Sequence, residues 1–287
     1  IVYSAALMRG MTPASIIVDG NTGSVLSSNS PDGLRHPASL TKIMTLYLLF
    51  ERLDSGKMKL DTEMPVSEHA SEQDPTKLGL RPGQTIKVED AIKGLVTRSA
   101  NDAAVVIAEA IGGSEEDFAR MMTRKARALG MSRTTYRNAS GLPNDEQITT
   151  ARDQSTLGRA IQDRFPRYYR YFSTTAFNFR GHTITGHNRL LGSVEGVDGI
   201  KTGYTRASGF NLVTSIHRGN RFLVGVVLAA IGLDPWNILY SVRRLFQTIW
   251  DFGFDAINWA WRYFLLGAVI VIPIWLLSRL FGAPRGR

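Results

Sequence analysis

Apolar residues follow a strand period at both ends of the chain's first 230 positions and a helical period between them. Residues 14–29, ASIIVDGNTGSVLSSN, predict a hairpin that turns at Asp19 to Gly23. Strand patterns return at residues 177–188 and 196–205, and again at 210–230, where a hairpin turns at Arg218 to Asn220. This order predicts one sheet assembled from distant parts of the chain and covered by helices.

Helical spacing dominates the middle of the chain. Apolar residues recur every three or four positions from Leu40 to Leu53, with few polar interruptions, so this helix is expected to be buried on most sides. Residues 87–113 predict two helices with a break near Ser99, and residues 114–131 predict a third that Ser114 caps. A fourth helix is expected over 149–162, and residues 68–88 have the composition of a loop.

The end of the chain has a different pattern. From Trp259 to Leu277 only Arg262 is charged, over about the length that a bilayer-spanning helix needs. Aromatic residues flank this run and arginines follow it, which predicts a transmembrane or membrane-anchor helix at 259–280, a short basic tail at 281–287 and the lipid bilayer as a partner. An amphipathic or buried terminal helix is the alternative. Residues 1–14 fit the remnant of a signal peptide or a leading helix or strand equally well.

Charge and composition narrow the chemistry. The formal net charge is +9, but the basic residues are scattered and not interleaved with aromatics, so no nucleic-acid partner is expected. The chain has no cysteine, which excludes disulfides, thiolate catalysis and cysteine-bound metals. Its five histidines lack metal-ligand spacing. We therefore expect no metal and no cofactor.

The stretch HPASLTKIMT, residues 36–45, holds the first candidate pair. Ser39 and Lys42 stand three residues apart, a spacing that puts both side chains on one face of a helix. Serine needs a base to take its proton when it attacks a carbonyl, and lysine can be that base only if burial or another cation lowers its pKa. The alternative is a serine that caps an apolar helix beside an incidental lysine.

A second polar cluster, RSANDAA, carries Ser99 and Asn101 at the predicted break between two helices. A hydroxyl here could relay a proton, and a side-chain amide could orient both the lysine and a substrate amide. The alternative is an ordinary helix start, because Ser, Asn and Asp all favour that position.

A third stretch, GVDGIKTGYT, places Lys201, Thr202 and Gly203 in a predicted strand. Lys201 and Thr202 could bind a substrate carboxylate, and glycine in a strand lets a substrate backbone approach closely. A surface lysine on a strand is the alternative.

Together the three motifs, S-x-x-K, S-x-N and K-T-G in this order, form the signature of serine β-lactamases and penicillin-binding proteins. HPASLTKIMT, LVTRSANDAA, NASGLPNDEQITTARD and GVDGIKTGYTRASGFNLV resemble the D-alanyl-D-alanine carboxypeptidases, the low-molecular-mass penicillin-binding proteins, over about Ser15 to Ala230. The resemblance implies an α+β fold of the β-lactamase type, with an antiparallel sheet flanked by helices. A helical subdomain at about 40–165 would be inserted into a catalytic domain spanning 1–258.

The resemblance also implies a role for each matched position. Ser39 is the expected nucleophile, Lys42 its base and Ser99 the proton relay, while Asn101 positions Lys42 and the substrate amide. The expected substrate-binding residues at the third motif are Lys201, Thr202, Gly203 and Tyr204. Lys201 and Thr202 are implied to bind the terminal carboxylate, and the backbone N–H groups of Ser39 and Tyr204 to form the oxyanion hole. Two lysines facing one cleft repel, which lowers the pKa of the more buried one. Lys42, on its apolar helix, is expected to be that lysine and so fits the role of the base, and the more open Lys201 fits the anion-binding role.

The implied activity is removal of the terminal D-alanine from peptidoglycan stem peptides, with β-lactam antibiotics as covalent inhibitors. The implied place is the bacterial cell envelope, with the catalytic domain on the extracytoplasmic face of the cytoplasmic membrane. An endopeptidase that cuts D-alanyl cross-links uses the same residues. A β-lactamase would need a glutamate to activate the deacylating water, for which Asp145 and Glu146 are the candidates. The alternative from outside the enzymes is a catalytically silent, membrane-tethered scaffold that binds the cell wall.

Overall fold

The computed structural model describes residues 13–229, which lie within the first of two compact units, 1–234 and 235–287. The predicted domain boundary at 258, the membrane helix at 259–280 and the basic tail at 281–287 lie outside the described residues. Within residues 13–229, no helix combines the length and the apolar character that crossing a bilayer requires.

The strands form one large sheet and two small ones. In chain order they are β1 Ala14–Asp19, β2 Val25–Asn29, β3 Glu63–Pro65, β4 Thr85–Lys87, β5 Ala176–Phe179, β6 His182–Thr185, β7 Val197–Thr205, β8 Gly209–Arg218 and β9 Arg221–Leu228. The large sheet has the order β2-β1-β9-β8-β7, and every neighbouring pair is antiparallel. β1 pairs with β9, so the two ends of the described chain meet in the middle of the sheet, as the sequence predicts. β7 is an edge strand.

Seven α-helices and two 3₁₀ turns make up the helical part of the described chain. The helices are α1 Thr41–Asp54, α2 Glu68–Ser71, α3 Val88–Val96, α4 Asn101–Gly112, α5 Glu115–Ala128, α6 Ala151–Arg164 and α7 Pro166–Tyr169, and the 3₁₀ turns are Ala38–Leu40 and Arg170–Ser173. The predicted cap is confirmed, since Ser114 Oγ accepts a hydrogen bond from the N–H of Asp117. The stretch at 68–88, predicted as loop, contains α2 and β4, elements too short to produce a periodic pattern.

The core is built around α1. Eleven of its fourteen residues are buried, which is why the sequence there is apolar on every face. α6 covers one face of the large sheet through Gly158, where a Cβ atom would lie only 3.1 Å from Val224 Cγ1. The predicted α+β class, an antiparallel sheet with helices packed on it, is confirmed. α1 to α6 lie in the stretch for which the sequence predicts a helical subdomain.

Candidate active site

Ser39 lies in the 3₁₀ turn that directly precedes α1, at the start of the buried helix. Ala38 adopts a left-handed backbone conformation with a φ of 48°. Neither the 3₁₀ turn nor α1 has a side-chain hydrogen bond at its N-cap, so the hypothesis that Ser39 is a helix cap is wrong. Its hydroxyl is instead directed towards Lys42, one turn further along.

Lys42 is fully buried and is surrounded by three oxygens. Its Nζ lies 3.2 Å from Ser39 Oγ, 2.7 Å from Asn101 Oδ1 and 2.5 Å from the carbonyl oxygen of Ser140. The first two motifs of the sequence therefore meet at this nitrogen.

The surroundings of Lys42 favour its neutral form. Burial lowers the pKa of Lys42 well below its usual value, and the positive charge of Lys201 lowers it further; the carboxylates of Asp102 and Glu115 act in the opposite direction. A neutral amine has two N–H donors and one lone pair. The two donors match the oxygens of Asn101 and Ser140, which leaves the lone pair for the hydroxyl proton of Ser39.

Asn101, the first residue of α4, is held in a fixed orientation. Its backbone N–H donates to Thr76 O at 2.7 Å and its Nδ2 donates to Asp74 O at 2.8 Å, so Oδ1 faces Lys42. Ser99 has a left-handed φ of 60°, and its Oγ is buried with no hydrogen-bond partner among residues 13–229. Burying an unpaired hydroxyl costs about 1–3 kcal/mol. Such a group is typical of a functional position.

The sequence interpretation missed the loop that holds the third oxygen. Ser140 belongs to the NASGLPNDEQ stretch, and Gly141 lies against the turn that carries Ser39, since a Cβ atom on it would be 1.9 Å from Ala38 O. Glu115 Oε1 accepts from the N–H of Ala139, and Thr45 Oγ1 on α1 donates to Ala139 O, which fixes the loop over the helix. Within this loop, Gly141 was the only feature of the sequence that indicated a close approach of the loop backbone to another segment of the chain.

A second residue that the sequence interpretation missed is Asp102, next to Asn101. It is fully buried, and its carboxylate accepts hydrogen bonds from the N–H groups of Leu78, Gly79 and Leu80. This carboxylate ties the start of α4 to the loop before β4, the loop that also supplies the partners of Asn101.

The K-T-G motif lies on β7, and its glycine brings it to Ser39. A Cβ atom at Gly203 would be 3.0 Å from the backbone nitrogen of Ser39. The expected difference in exposure between the two lysines almost vanishes: Lys201 is 2% exposed and Lys42 0%, because β7 packs against both 3₁₀ turns. Burial lowers the pKa of Lys201 to about 7. Its Nζ donates to the carbonyl of Thr202, whose side chain is half-buried.

The backbone N–H groups of a β-strand point alternately to its two edges, and this determines the direction of the Tyr204 N–H. Residues two apart in a strand direct their N–H and C=O groups to the same side. Because the Thr202 carbonyl accepts from Lys201, the N–H of Tyr204 lies on that same side, along the edge of β7 that is not paired with β8. The Tyr204 ring is 54% exposed and packs on Phe210, with 4.4 Å between ring centroids.

The two candidates for a lactamase-type base, Asp145 and Glu146, lie at the surface or in a shallow recess. Glu146, a candidate for a lactamase-type base, forms an ion pair with Arg137 at 2.7 Å with its side chain 71% exposed, and Asp145 lines a shallow recess beside Ala38 and Gly141. The described residues contain no group of three or more His, Asp or Glu side chains suited to a metal ion.

Comparisons with known proteins agree with this geometry. The family model described as D-alanyl-D-alanine carboxypeptidase matches residues 8–232, and a domain of unknown function, DUF6460, matches residues 249–284. D-alanyl-D-alanine carboxypeptidase DacC of Escherichia coli is 38% identical over 224 residues, covering 76% of this chain and 56% of that protein. DacF of Bacillus subtilis is 34% identical, covering 76% and 57%.

A relative with another activity and a solved structure complete the comparison. A D-alanyl-D-alanine endopeptidase of Pseudomonas aeruginosa is 33% identical, covering 76% of this chain and 71% of that protein. Penicillin-binding protein D2 of Listeria monocytogenes, solved in an ampicillin-bound form, is 29% identical with a TM-score of 0.70, covering 77% of this chain and 90% of that one.

The chain spans a little over half the length of the curated carboxypeptidases named above. The match nevertheless covers all three motifs and most of this chain, and the fold is that of the penicillin-binding proteins. The chain therefore belongs to the D-alanyl-D-alanine carboxypeptidase family.

Proposed function

We propose that this chain is a serine-type D-alanyl-D-alanine carboxypeptidase that removes the terminal D-alanine from peptidoglycan stem peptides. The observation that carries the proposal is the set of contacts around Lys42: two acceptors for its N–H groups and the Ser39 hydroxyl at the remaining position. In its neutral form, a buried lysine in that arrangement can take the proton of the Ser39 hydroxyl.

In the first half of the reaction, Ser39 Oγ attacks the carbonyl carbon of the penultimate D-alanine while its proton passes to Lys42 Nζ. The N–H groups of Ser39 and Tyr204 stabilise the oxyanion, and Lys201 with Thr202 binds the terminal carboxylate. Lys42 passes this proton through the Ser99 hydroxyl to the leaving nitrogen as the C–N bond breaks, which returns Lys42 to its neutral form. In the second half, a water molecule attacks the ester carbonyl while giving a proton to Lys42. Lys42 then returns that proton to Ser39 Oγ as the ester C–O bond breaks and the shortened peptide leaves.

The same groups account for reaction with penicillins. A β-lactam presents a strained amide beside a carboxylate, so it can acylate Ser39 while its carboxylate meets Lys201. The related protein from Listeria monocytogenes, solved with ampicillin, supports this part of the proposal.

Labelling with a fluorescent penicillin tests the proposal. The wild-type chain and the control variant Lys57→Ala, an exposed lysine, should take up the label covalently, whereas Ser39→Ala and Lys42→Ala should not. An unlabelled wild-type chain would instead favour the catalytically silent scaffold.

Endopeptidase activity on cross-linked peptides is a second candidate, favoured by the similarity to the Pseudomonas aeruginosa endopeptidase. Rates measured on a pentapeptide ending in D-Ala-D-Ala and on a cross-linked muropeptide separate the two activities. Turnover confined to the muropeptide would replace the carboxypeptidase proposal.

We also propose that the apolar run at 259–280 anchors the chain in the cytoplasmic membrane, with residues 281–287 in the cytoplasm and the catalytic domain in the extracytoplasmic cell envelope. The hydropathy of the run and the arginines at its end and after it, Arg279, Arg285 and Arg287, support this arrangement. So does the proposed substrate, which lies outside the cytoplasm.

A further inference from the structure

A cluster of polar side chains joins the beginning of β7 to its neighbours, away from the contacts around Lys42. We call it the Asp198 cluster; it consists of Tyr169, Asp198, Ser215 and His217. Asp198 Oδ1 accepts a hydrogen bond from Ser215 Oγ at 2.5 Å. Asp198 Oδ2 lies 2.7 Å from His217 Nδ1, a close contact that does not have the geometry of a hydrogen bond. One carboxylate on β7 therefore contacts two residues of β8 and is hydrogen-bonded to one of them.

The cluster extends to the helical part of the molecule. The hydroxyl of Tyr169, at the end of α7, lies 2.5 Å from Ser215 Oγ. Burial and the nearby carboxylate of Asp198 raise the pKa of Tyr169 well above its usual value, so it remains a donor to Ser215. In addition, Ser173 Oγ in the second 3₁₀ turn donates to the backbone carbonyl of Asp198 at 2.7 Å. Three elements thus converge on Asp198.

Asp198 is also the residue at which the pairing of β7 changes register. Val197 faces Ile216 and Gly199 faces Ser215, so Asp198 is the extra residue of a β-bulge. A shift of one residue in a strand exchanges the residues that face each side. The bulge therefore determines that Gly203 and Lys201, two residues apart, lie on the face of β7 that is turned towards Ser39. The side chain of the bulge residue, Asp198, is hydrogen-bonded to Ser215 on the neighbouring strand β8.

β7 is held at two points, and the motif lies between them. Near its beginning, a Cβ atom at Gly199 would be 2.9 Å from the Tyr169 hydroxyl, and near its end Gly203 touches the Ser39 turn. Movement at the first point would shift Lys201, Thr202 and the N–H of Tyr204 relative to Ser39, because all three belong to the same short strand.

We propose that Asp198 is a positioning residue for the anion-binding strand: its hydrogen bonds with Ser215 and Ser173, together with its close contact with His217, hold the bulge and so place the K-T-G segment against Ser39. This inference rests on the proposed function and names a residue that none of the three motifs contains. Asp198 itself touches neither substrate nor reacting atoms.

The variant Asp198→Asn in the full chain tests the role. An amide keeps the size of the side chain but cannot accept on its nitrogen, so one of the two contacts is lost. We expect the second-order rate constant for acylation by a fluorescent penicillin to fall by about ten- to a hundredfold, the loss that a misplacement of about 1 Å can cause. Asp163→Asn, an exposed aspartate on α6, is the matched control and should react like the wild type.

A double-mutant comparison separates positioning from a general loss of folded protein. In the Lys201→Ala background, Asp198→Asn should reduce acylation by a clearly smaller factor than in the wild type, because part of its effect acts through Lys201. Equal factors in the two backgrounds would overturn the proposal. Should Asp198→Asn not fold, Ser215→Ala removes one contact of the same cluster and is expected to act in the same direction.

Hydrogen–deuterium exchange provides a measure that does not depend on the activity. Amides of residues 197–205 should exchange faster in Asp198→Asn than in the wild type, while those of α1 are unchanged. Unchanged exchange in 197–205 would overturn the positioning role. A wild-type chain that takes up no penicillin would overturn the proposed function instead, and the exchange result would still decide the role of Asp198.

Discussion

At the scale of single residues, Lys42 is the group whose protonation controls the proposed chemistry. A lysine with an ordinary pKa near 10.4 is neutral in only about one molecule in a few thousand at pH 7. Burial and Lys201 both lower the pKa of Lys42, while the carboxylates of Asp102 and Glu115 limit the shift. The hydrogen bonds to Asn101 and Ser140 hold the amine in place in either state, so the loss of a proton does not require a rearrangement.

Lys201 adds a second ionisation that should be visible in the pH profile. With a pKa of about 7 in the free enzyme, it loses its charge as the pH rises through 7, and binding of the substrate carboxylate weakens. Lys42 must be neutral, so the activity rises with pH on the acid side. We predict a bell-shaped profile of kcat/KM for a peptide with a free terminal carboxylate, with its descending limb near pH 7.

The control for this prediction is the same peptide with an amidated C-terminus. This peptide carries no terminal carboxylate, so its kcat/KM should be lower than that of the peptide with the free carboxylate. Its kcat/KM should also not fall as the pH rises through 7. Identical pH profiles for the two peptides would show that Lys201 does not bind the carboxylate.

Ser99 allows a test in which stability and activity change in different directions. Ser99→Ala removes a buried hydroxyl that has no hydrogen-bond partner among residues 13–229, so the melting temperature should stay the same or rise. Loss of the proton relay should lower kcat on a D-Ala-D-Ala peptide by about a hundred- to ten-thousandfold. Ser99→Gly also relieves the left-handed backbone and should be equally inactive. An active glycine variant would mean that Ser99 serves only the turn between α3 and α4.

At the scale of elements, the loop around Gly141 controls the turn that carries Ser39. We predict that Gly141→Ala lowers acylation by penicillin strongly, because the added methyl group would overlap the carbonyl of Ala38 and displace the backbone of the nucleophile. The left-handed backbone, with a φ of 87°, adds about 1–2 kcal/mol of strain. Acylation kinetics together with thermal unfolding measure both effects.

Gly130→Ala is the matched control, since its φ is 85° but a Cβ atom there would have no atom of the described part of the chain within 4 Å. It should lose a few degrees of melting temperature from strain alone and keep its rate of acylation. If Gly141→Ala and Gly130→Ala lose activity equally, the contact between the loop and the Ser39 turn does not determine the rate of acylation.

The sequence predicts these elements to different degrees, for physical reasons. α1 and α5 were predictable because their periodicity is long and, for α5, because Ser114 marks its start. β3 and β4 were not, since three residues cannot show a period. The three motifs pointed to Ser39, Lys42 and Asn101, but the carbonyl of Ser140 could not be predicted, because any residue supplies a carbonyl. The burial of Lys201 depends on the packing of β7 against the 3₁₀ turns, a long-range contact that local sequence does not reveal.

At the scale of the whole molecule, the sheet brings the site together. Ser39 follows the first hairpin, whereas Gly203 lies near the end of the described chain, and the two meet because β9 and β8 lie between β1 and β7. The proposed nucleophile therefore lies in the turn that leads into the buried helix, and the proposed anion-binding strand lies at the edge of the sheet. An extended peptide lying along the edge of β7 that does not pair with β8 would pass the Ser39 turn, which fits the proposed stem peptide better than a compact substrate.

The proposed membrane anchor is a property of the whole chain, and its apolar run can be interrupted by charge. Val269 and Val271 lie in the middle of the apolar run, where each added charge costs about 2.5–3.5 kcal/mol in a bilayer-spanning helix. We predict that the double variant Val269→Asp, Val271→Asp moves from the membrane to the soluble fraction and still reacts with penicillin. Ala283→Asp, in the basic tail, is the control and should stay with the membrane. A double variant that sediments with membranes as the wild type does would refute anchoring by this run.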